Sequence, residues 1–308
     1  MVDFKKPSDL FKAYKEGFVG SYCDPEDVDK LLGELPHPLF GAAAYNLYES
    51  GKGKIALLYK NVQRFDPGFG PSERQVTGDC VSHSTRGAID VTRSTEIIDG
   101  EREEWVARSA TEAIYGSRGH GGQGMSCSVA ARFVHQNGGV LLRKKYGSID
   151  LSKYDGMLGA RWGRSGVPRE LKEEGKKHQV KTISLIKTVE EARDAIANGY
   201  AISVCSGHGF SSRRDKYGIA KRSGGWSHAM CWCAMDDSHE IHKETLFLVQ
   251  NSWGVWNGGP KRLDQPDGSF WIRERDAADM LSQNGSWVLS DVDGFPPRKV
   301  DWTLEQVF

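Results

Sequence analysis

The stretch 74-RQVTGDCVSHSTRGAID-90 decides how the rest of the chain is read. Gln75 stands five residues ahead of Cys80, and Cys80 follows Gly78-Asp79 and opens a run with helical apolar spacing. A cysteine at a helix start lies among unpaired N–H groups at the positive end of the helix dipole, a setting that favours the thiolate. A free cysteine is also among the most buried residue types and often acts as a small hydrophobe. What the remaining residues supply decides between the two.

Upstream, residues 1–70 read as an N-terminal accessory region with scope for a docking partner. Ser8 heads a short helix carrying Leu10, Phe11, Tyr14 and Phe18. Asp24 caps a second, with Pro25 at its first position and acids in its first turn. GKGKIALLYKNVQRFDPGFGPSE then reads as a short strand and a Gly/Pro-rich approach to Gln75.

Downstream, residues 71–150 form a helical lobe, with SHSTRGAIDVTRSTEI and SCSVAARFVHQNGG as helices and the glycine-dense YGSRGHGGQGMS between them. Residues 151–180 are polar and irregular. TVEEARDAIANG is a helix capped by Thr188 and ended by Gly199. YAISVCS, HAMCWCAM, TLFLVQNSW, GSFWIRE and SWVLSDV are strands, so residues 151–308 form a mainly β lobe. The expectation is an α+β fold of two lobes, a helical lobe and an antiparallel β lobe with a cleft between them.

Composition narrows the function classes. Lys plus Arg and Asp plus Glu both number 41, so no global charge draws the chain to nucleic acid or an anionic membrane. No apolar run approaches the roughly 20 residues of a membrane-spanning helix. MVDFKKPSDLFKAYKEGF lacks the apolar core of a secretory signal. Six cysteines are too sparse for a disulfide scaffold, and the expectation is reduced thiols in an intracellular or other reducing compartment.

A nucleophilic cysteine needs a base, a group that orients the base, and donors for the oxyanion. GGWSHAMCWCAMD places His228 at the start of an apolar strand, and LVQNSWG places Asn251 at the end of the next. Adjacent antiparallel strands set His228 and Asn251 side by side, where the Asn oxygen accepts the imidazole N–H and fixes its tautomer. Gln75 and the Cys80 N–H supply the oxyanion donors.

These fragments, in this order, resemble a papain-type (C1-type) cysteine peptidase across roughly residues 74–290. QVTGDCVSH is similar to the active-site helix start, SHAM to the His motif, and NSWG with GSFWIRER to the Asn motif and its closing strand. His228 lies 148 positions and Asn251 171 positions after Cys80, against about 130–150 for the family's partners. DDSHEIHKET, read as a hairpin loop between the two strands, accounts for the excess.

The chain departs from the pattern at Thr77 and Gly119, where the family has a bridged cysteine pair, at Val81, where it has an aromatic residue, and in the Gln75-to-Cys80 spacing, one residue short. Asp79 before the thiol reads as a helix cap whose charge opposes the thiolate. Residues 1–70 show no inhibitory-propeptide pattern.

The resemblance implies a thiol peptidase without cofactor or metal, acting on peptide or protein substrates through Cys80, His228, Asn251 and Gln75. It implies a strand-pairing edge at Gly121-Gly122, a pocket lined by Gln123, Gly124 and Ala229, and Trp253 packed over the His228–Asn251 contact. Two other readings keep the fold: an amidase or acyl-transferase on cell-wall or cross-linked peptides, and a catalytically silent structural component of an assembly. HEIH (239–242) lacks the i, i+4 spacing of a zinc helix and reads as a solvated loop, and CWC (231–233) as core.

Overall fold

The computed structural model describes residues 3–70, 73–100, 105–240 and 242–298. Helix α1 (Pro7–Lys15) starts with Pro7 in its first position and Lys6, not Ser8, as its N-cap. Strand β1 (Ser21–Tyr22) follows, then α2 (Pro25–Glu34), where Asp24 accepts the Glu26 N–H at 3.0 Å as a cap should. A short α3 (Phe40–Ala43), β2 (Ile55–Ala56) and α4 (Leu58–Phe65) lead to the Cys80 region.

The helical lobe is built on α5 (Cys80–Ile98), with α6 (Glu112–Gly116), β3 (Met125–Ser126) and α7 (Cys127–Arg132) around it, the last running into a π-helical turn. After a small ladder of β4 (Lys145–Tyr146) and β5 (Ile149–Asp150), residues 151–180 are not irregular as expected. They hold α8 (Gly156–Ser165) and α9 (Arg169–Gly175). Helix α8 buries Gly156, Gly159, Ala160, Trp162 and Gly163. Apart from Trp162 its inner face is made of small residues, which carry little apolar periodicity to read. Asp155 caps it by accepting the Leu158 N–H at 2.9 Å.

The second lobe is an antiparallel sheet. Its strands are β6 (Thr182–Leu185), β7 (Ile202–Arg214), β8 (Ala220–Asp236), β9 (Leu246–Gln250), β10 (Ser269–Arg273) and β11 (Trp287–Ser290). They lie in the order β10-β9-β8-β7-β11-β6, with β2 added against β8 by the pairs Ile55–Asp236 and Ala56–Met235. Helix α10 (Val189–Ala197) has the expected Thr188 cap, reinforced by Glu191, and α11 (Glu274–Leu281) follows β10. Trp226, Trp232, Trp253, Trp271 and Trp287 are all fully buried.

Helix α5 packs on β8, β7 and β11 and is buried from Cys80 to Glu96 although most of these residues are polar. Partners make that tolerable. Arg93 Nε donates to Asp291 at 2.7 Å, Arg86 pairs with Glu73 at 3.3 Å, and Glu96 pairs with Arg298 at 3.0 Å. Ser84 and Ser203 share a hydrogen bond of 2.8 Å, tying the helix to the sheet.

The expectation of six reduced thiols gives way at one place: Cys127 at the head of α7 is bridged to Cys205 on β7. This bond joins the two lobes. Cys23, Cys80, Cys231 and Cys233 are free. Sequence offers no local cue for a pair 78 residues apart. Among the described residues no helix is long and apolar enough to cross a membrane.

Candidate active site

Register brings the β-lobe residues together. Cys231 on β8 faces Gln250 on β9, which sets Met230 opposite Asn251 just past the end of β9 and leaves His228, two residues from Met230, on the same face of the sheet. His228 Nε2 lies 2.8 Å from Asn251 Oδ1, which also accepts the Ser252 N–H at 2.7 Å. Two donors on one oxygen fix the amide, so Nε2 must carry the imidazole proton and Nδ1 is left bare. Trp253 packs its ring 4.7 Å from that of His228.

Cys80 is the first residue of α5. Asp79 occupies the cap position but its side chain does not cap. Its Oδ2 accepts the Tyr154 hydroxyl at 2.7 Å and lies 3.5 Å from His83 Nε2. His83 is thereby held on the Tyr154 side of the helix, with the two rings 5.0 Å apart. Gln75 is fixed at both ends. Its N–H donates to Ser252 O at 2.9 Å, Nε2 donates to Thr77 O at 2.7 Å, and Oε1 accepts Ser252 Oγ at 2.5 Å. Its amide nitrogen also lies 3.5 Å from the Tyr14 hydroxyl.

Tyr14 is the residue the sequence reading did not place here. It is fully buried, its ring 4.6 Å from the His228 ring and 5.0 Å from Trp253, and its hydroxyl and the Cys80 sulfur both border Gly20. Phe11, Trp226, Trp253 and Trp256 complete an aromatic cluster around it. The signal lay in the Leu10, Phe11, Tyr14, Phe18 spacing: an amphipathic helix rich in aromatics has to bury that face somewhere.

From α1 the chain runs on across the thiol. Gly20 N–H donates to Ser227 O at 2.9 Å on the β lobe, and Gly20 O accepts the Met125 N–H at 3.2 Å on the helical lobe. One residue therefore bonds both walls. A β-carbon on Gly20 would lie 2.8 Å from Cys80 Sγ and collide with the Tyr14 hydroxyl, so only glycine passes here. Beyond it, β1 pairs in parallel with β3, Ser21 with Met125 and Tyr22 with Ser126. Residues 1–70 thus do more than flank the lobes: α1 and β1 fill the cleft, and β2 extends the main sheet.

The other anticipated residues divide. The pairing edge lies at Met125–Ser126, whereas Gly121 and Gly122 are exposed in the loop before it. Gln123 turns inward, its Oε1 accepting Gly78 N–H at 2.8 Å and Thr77 Oγ1 at 2.9 Å, so it shapes the loop ahead of Cys80. Gly124 backs the covering segment, where a β-carbon would lie 2.8 Å from Val19 O. Ala229 is buried on β8, its main chain within hydrogen-bonding reach of the Cys80 thiol.

Burial governs the electrostatics. With Cys80 and His228 both fully buried, loss of water pushes the thiol up to about 12, against the Tyr14 hydroxyl and with some help from the Asp79 charge. Loss of water pulls the imidazole down to about 3, against the Asn251 hydrogen bond. Both groups are neutral in this covered form.

No family model matches the chain, and no curated protein matches it in sequence. Solved structures do. Xylellain, a cysteine protease from Xylella fastidiosa, is 17% identical with a TM-score of 0.52, over 77% of this chain and 86% of its own. Amb a 11, a ragweed pollen cysteine protease in its proform, is 13% identical over 77% of this chain and 64% of its own, with a TM-score of 0.48. Digestive procathepsin L 3 of Tenebrio molitor is 10% identical over 92% of this chain and 99% of its own, with a TM-score of 0.44. The likeness to xylellain carries the fold: this chain has the two-lobed α+β arrangement of the papain-like cysteine proteases.

Proposed function

We infer that the chain is a thiol peptidase of papain-like fold, held latent by its own N-terminal segment. One observation carries this reading: an extended stretch of main chain already lies across Cys80, with Gly20 bonded to Ser227 on one wall and Met125 on the other. A cleft that receives extended backbone above a cysteine, a histidine and its orienting asparagine has the recognition and the chemistry of peptide hydrolysis. A silent scaffold would need none of these residues together.

In the open form, water returns to the cleft and His228 takes the Cys80 proton through its bare Nδ1, giving a thiolate–imidazolium pair. The thiolate attacks the substrate carbonyl carbon, and the Cys80 N–H and Gln75 Nε2 hold the resulting oxyanion. His228 then protonates the leaving amine, and the acyl-enzyme forms. Water, losing its proton to His228, hydrolyses that ester of the thiol and frees Cys80. Asn251 Oδ1 keeps the imidazole oriented throughout. The Nε2 of Gln75 is presently spent on Thr77 O, and release of Tyr14 frees the space in front of it.

The test is labelling with an epoxide-type thiol-protease inactivator after limited proteolysis of the N-terminal segment, mapped by mass spectrometry. Cys80 is expected to be modified selectively in the nicked protein, and the modification to be lost in His228→Ala. Reaction of Cys80 no faster than Cys23 in the nicked protein would sink the peptidase reading.

A further inference from the structure

Three cysteines converge where the covering segment leaves the cleft. Tyr22 pairs with Ser126 at the end of the parallel β1–β3 ladder, so Cys23 and Cys127 are the next residues on the two neighbouring chains. The paired residues just before them, Tyr22 and Ser126, lie on strands about 4.8 Å apart, within the Cα separation of about 4.4–6.8 Å that a disulfide spans. Cys127 is bridged to Cys205, and both are buried. Gly285 marks the approach of the third partner: a β-carbon there would lie 3.2 Å from the Cys205 Cβ and 3.5 Å from the Cys23 Cβ. Cys23 is a half-buried free thiol whose Sγ donates to Asn284 O at 3.3 Å, next to that glycine.

We propose that Cys23, Cys127 and Cys205 form a thiol–disulfide exchange centre whose rearrangement fastens the N-terminal segment covalently to one wall of the cleft. The Cys23 thiol first loses its proton to solvent base. Its sulfur attacks Cys205 or Cys127, a Cys23–Cys205 or Cys23–Cys127 bond forms, and the original bond breaks. The displaced cysteine leaves as a thiolate and takes up a proton. One thiol and one disulfide enter and leave, so no external oxidant is required.

The resting state is the unexchanged one for a physical reason. Burial, with the charges of Asp24 and Asp27 added to it, raises the Cys23 thiol above its ordinary range. Few molecules carry the attacking thiolate near neutrality, and exchange quickens as pH rises. The consequence rests on reading residues 14–22 as the cover of a peptidase site. In the original pairing, a cut in the chain after Cys23 leaves the cover held by non-covalent contacts alone. In the exchanged pairing, the same cut leaves it tethered at high effective concentration.

The chemistry is tested on the full chain without reference to activity. Protein held at pH 8.5 is quenched in acid, blocked with N-ethylmaleimide, digested without reduction and mapped. The expected result is a time-dependent loss of the Cys127–Cys205 linkage, matched by gain of Cys23–Cys205 or Cys23–Cys127. Cys23→Ser should keep its bridge unchanged. Should Cys23→Ser misfold, Cys127→Ala refolded with oxidised glutathione serves instead, and is expected to form Cys23–Cys205. Recovery of Cys23 as the only alkylated member of the three at every time overturns the proposal. A second arm nicks resting and exchanged protein after residue 23 and follows alkylation of Cys80 by iodoacetamide. It should be at least about tenfold slower in the exchanged form, and equal rates would overturn the tether. Cys80 inert to the epoxide in both forms would fail the peptidase reading, while the linkage map still decides the exchange.

Discussion

Helix α5 and the segment 10–22 both press on the same sulfur, yet they belong to the molecule in different ways. The helix is locked into the core by charged pairs along its length: Arg86 with Glu73, Arg93 with Asp291, Glu96 with Arg298. The segment is held by aromatic rings and a few main-chain bonds, with Val19 and Tyr22 on its outer side exposed. A buried ion pair is costly to break, because the surviving charge is left without water or partner. Aromatic contacts and short strand pairs release without stranding a charge. The difference separates a part of the scaffold from a part that is able to leave.

Breaking the scaffold side should have the largest effect. Arg93→Ala removes the buried guanidinium that donates to Asp291 and is expected to cost about 3–5 kcal/mol of global stability, read as a lower urea midpoint. It should do so without raising the reactivity of Cys80 in the molecules that stay folded. If it instead exposes Cys80 at unchanged stability, α5 is not the fixed element and the comparison fails.

The covering side should respond in the opposite sense. Tyr14→Ala removes a fully buried aromatic from the His228–Trp253 contact. At about 2 kcal/mol for such burial, the open population should rise roughly thirtyfold, with the urea midpoint of the two lobes little changed. Gly20→Val should act in the same direction, since its side chain meets Cys80 Sγ and the Tyr14 hydroxyl. The rate of Cys80 alkylation reads both. An unchanged rate in both variants would show that the segment is no more removable than α5.

How much of this was legible in the sequence follows the same division. Cys80, His228 and Asn251 stood out because Cys80 opens a helix, Asn251 follows an apolar strand, and His228 lies in β8 where that strand's apolar run begins. The main strands were legible for the same reason, and α10 through its Thr188 cap. Helix α8 was not, because its packed face, apart from Trp162, is glycine and alanine. The reach of Tyr14 and Gly20 into the cleft was not, because a helix announces that it has an apolar face and not which surface it covers. The Cys127–Cys205 bridge was hidden likewise: it depends on how the lobes dock, a property of the assembled fold.

The finest discrimination between the two regions comes from protons. In the closed form burial holds His228 down to about 3 and Cys80 up to about 12. Once the segment leaves and water returns, the two groups share one proton as a thiolate–imidazolium pair. In acid the open pair binds a second proton that the closed form, with His228 held down, refuses, so acid favours opening. In alkali the closed form keeps a proton on Cys80 that the open pair has given up from its imidazolium, so alkali favours opening as well. Protection of the Gly20 and Met125 amides against hydrogen exchange, corrected for intrinsic rate, should therefore be greatest between the two and fall on either side. Amides in the middle of α5, which bury no group whose charge changes on opening, should stay protected throughout. Gly20 protection that is flat from pH 4 to pH 9 would mean that the dyad does not feel the segment leave, and that the two regions are held by the same forces after all.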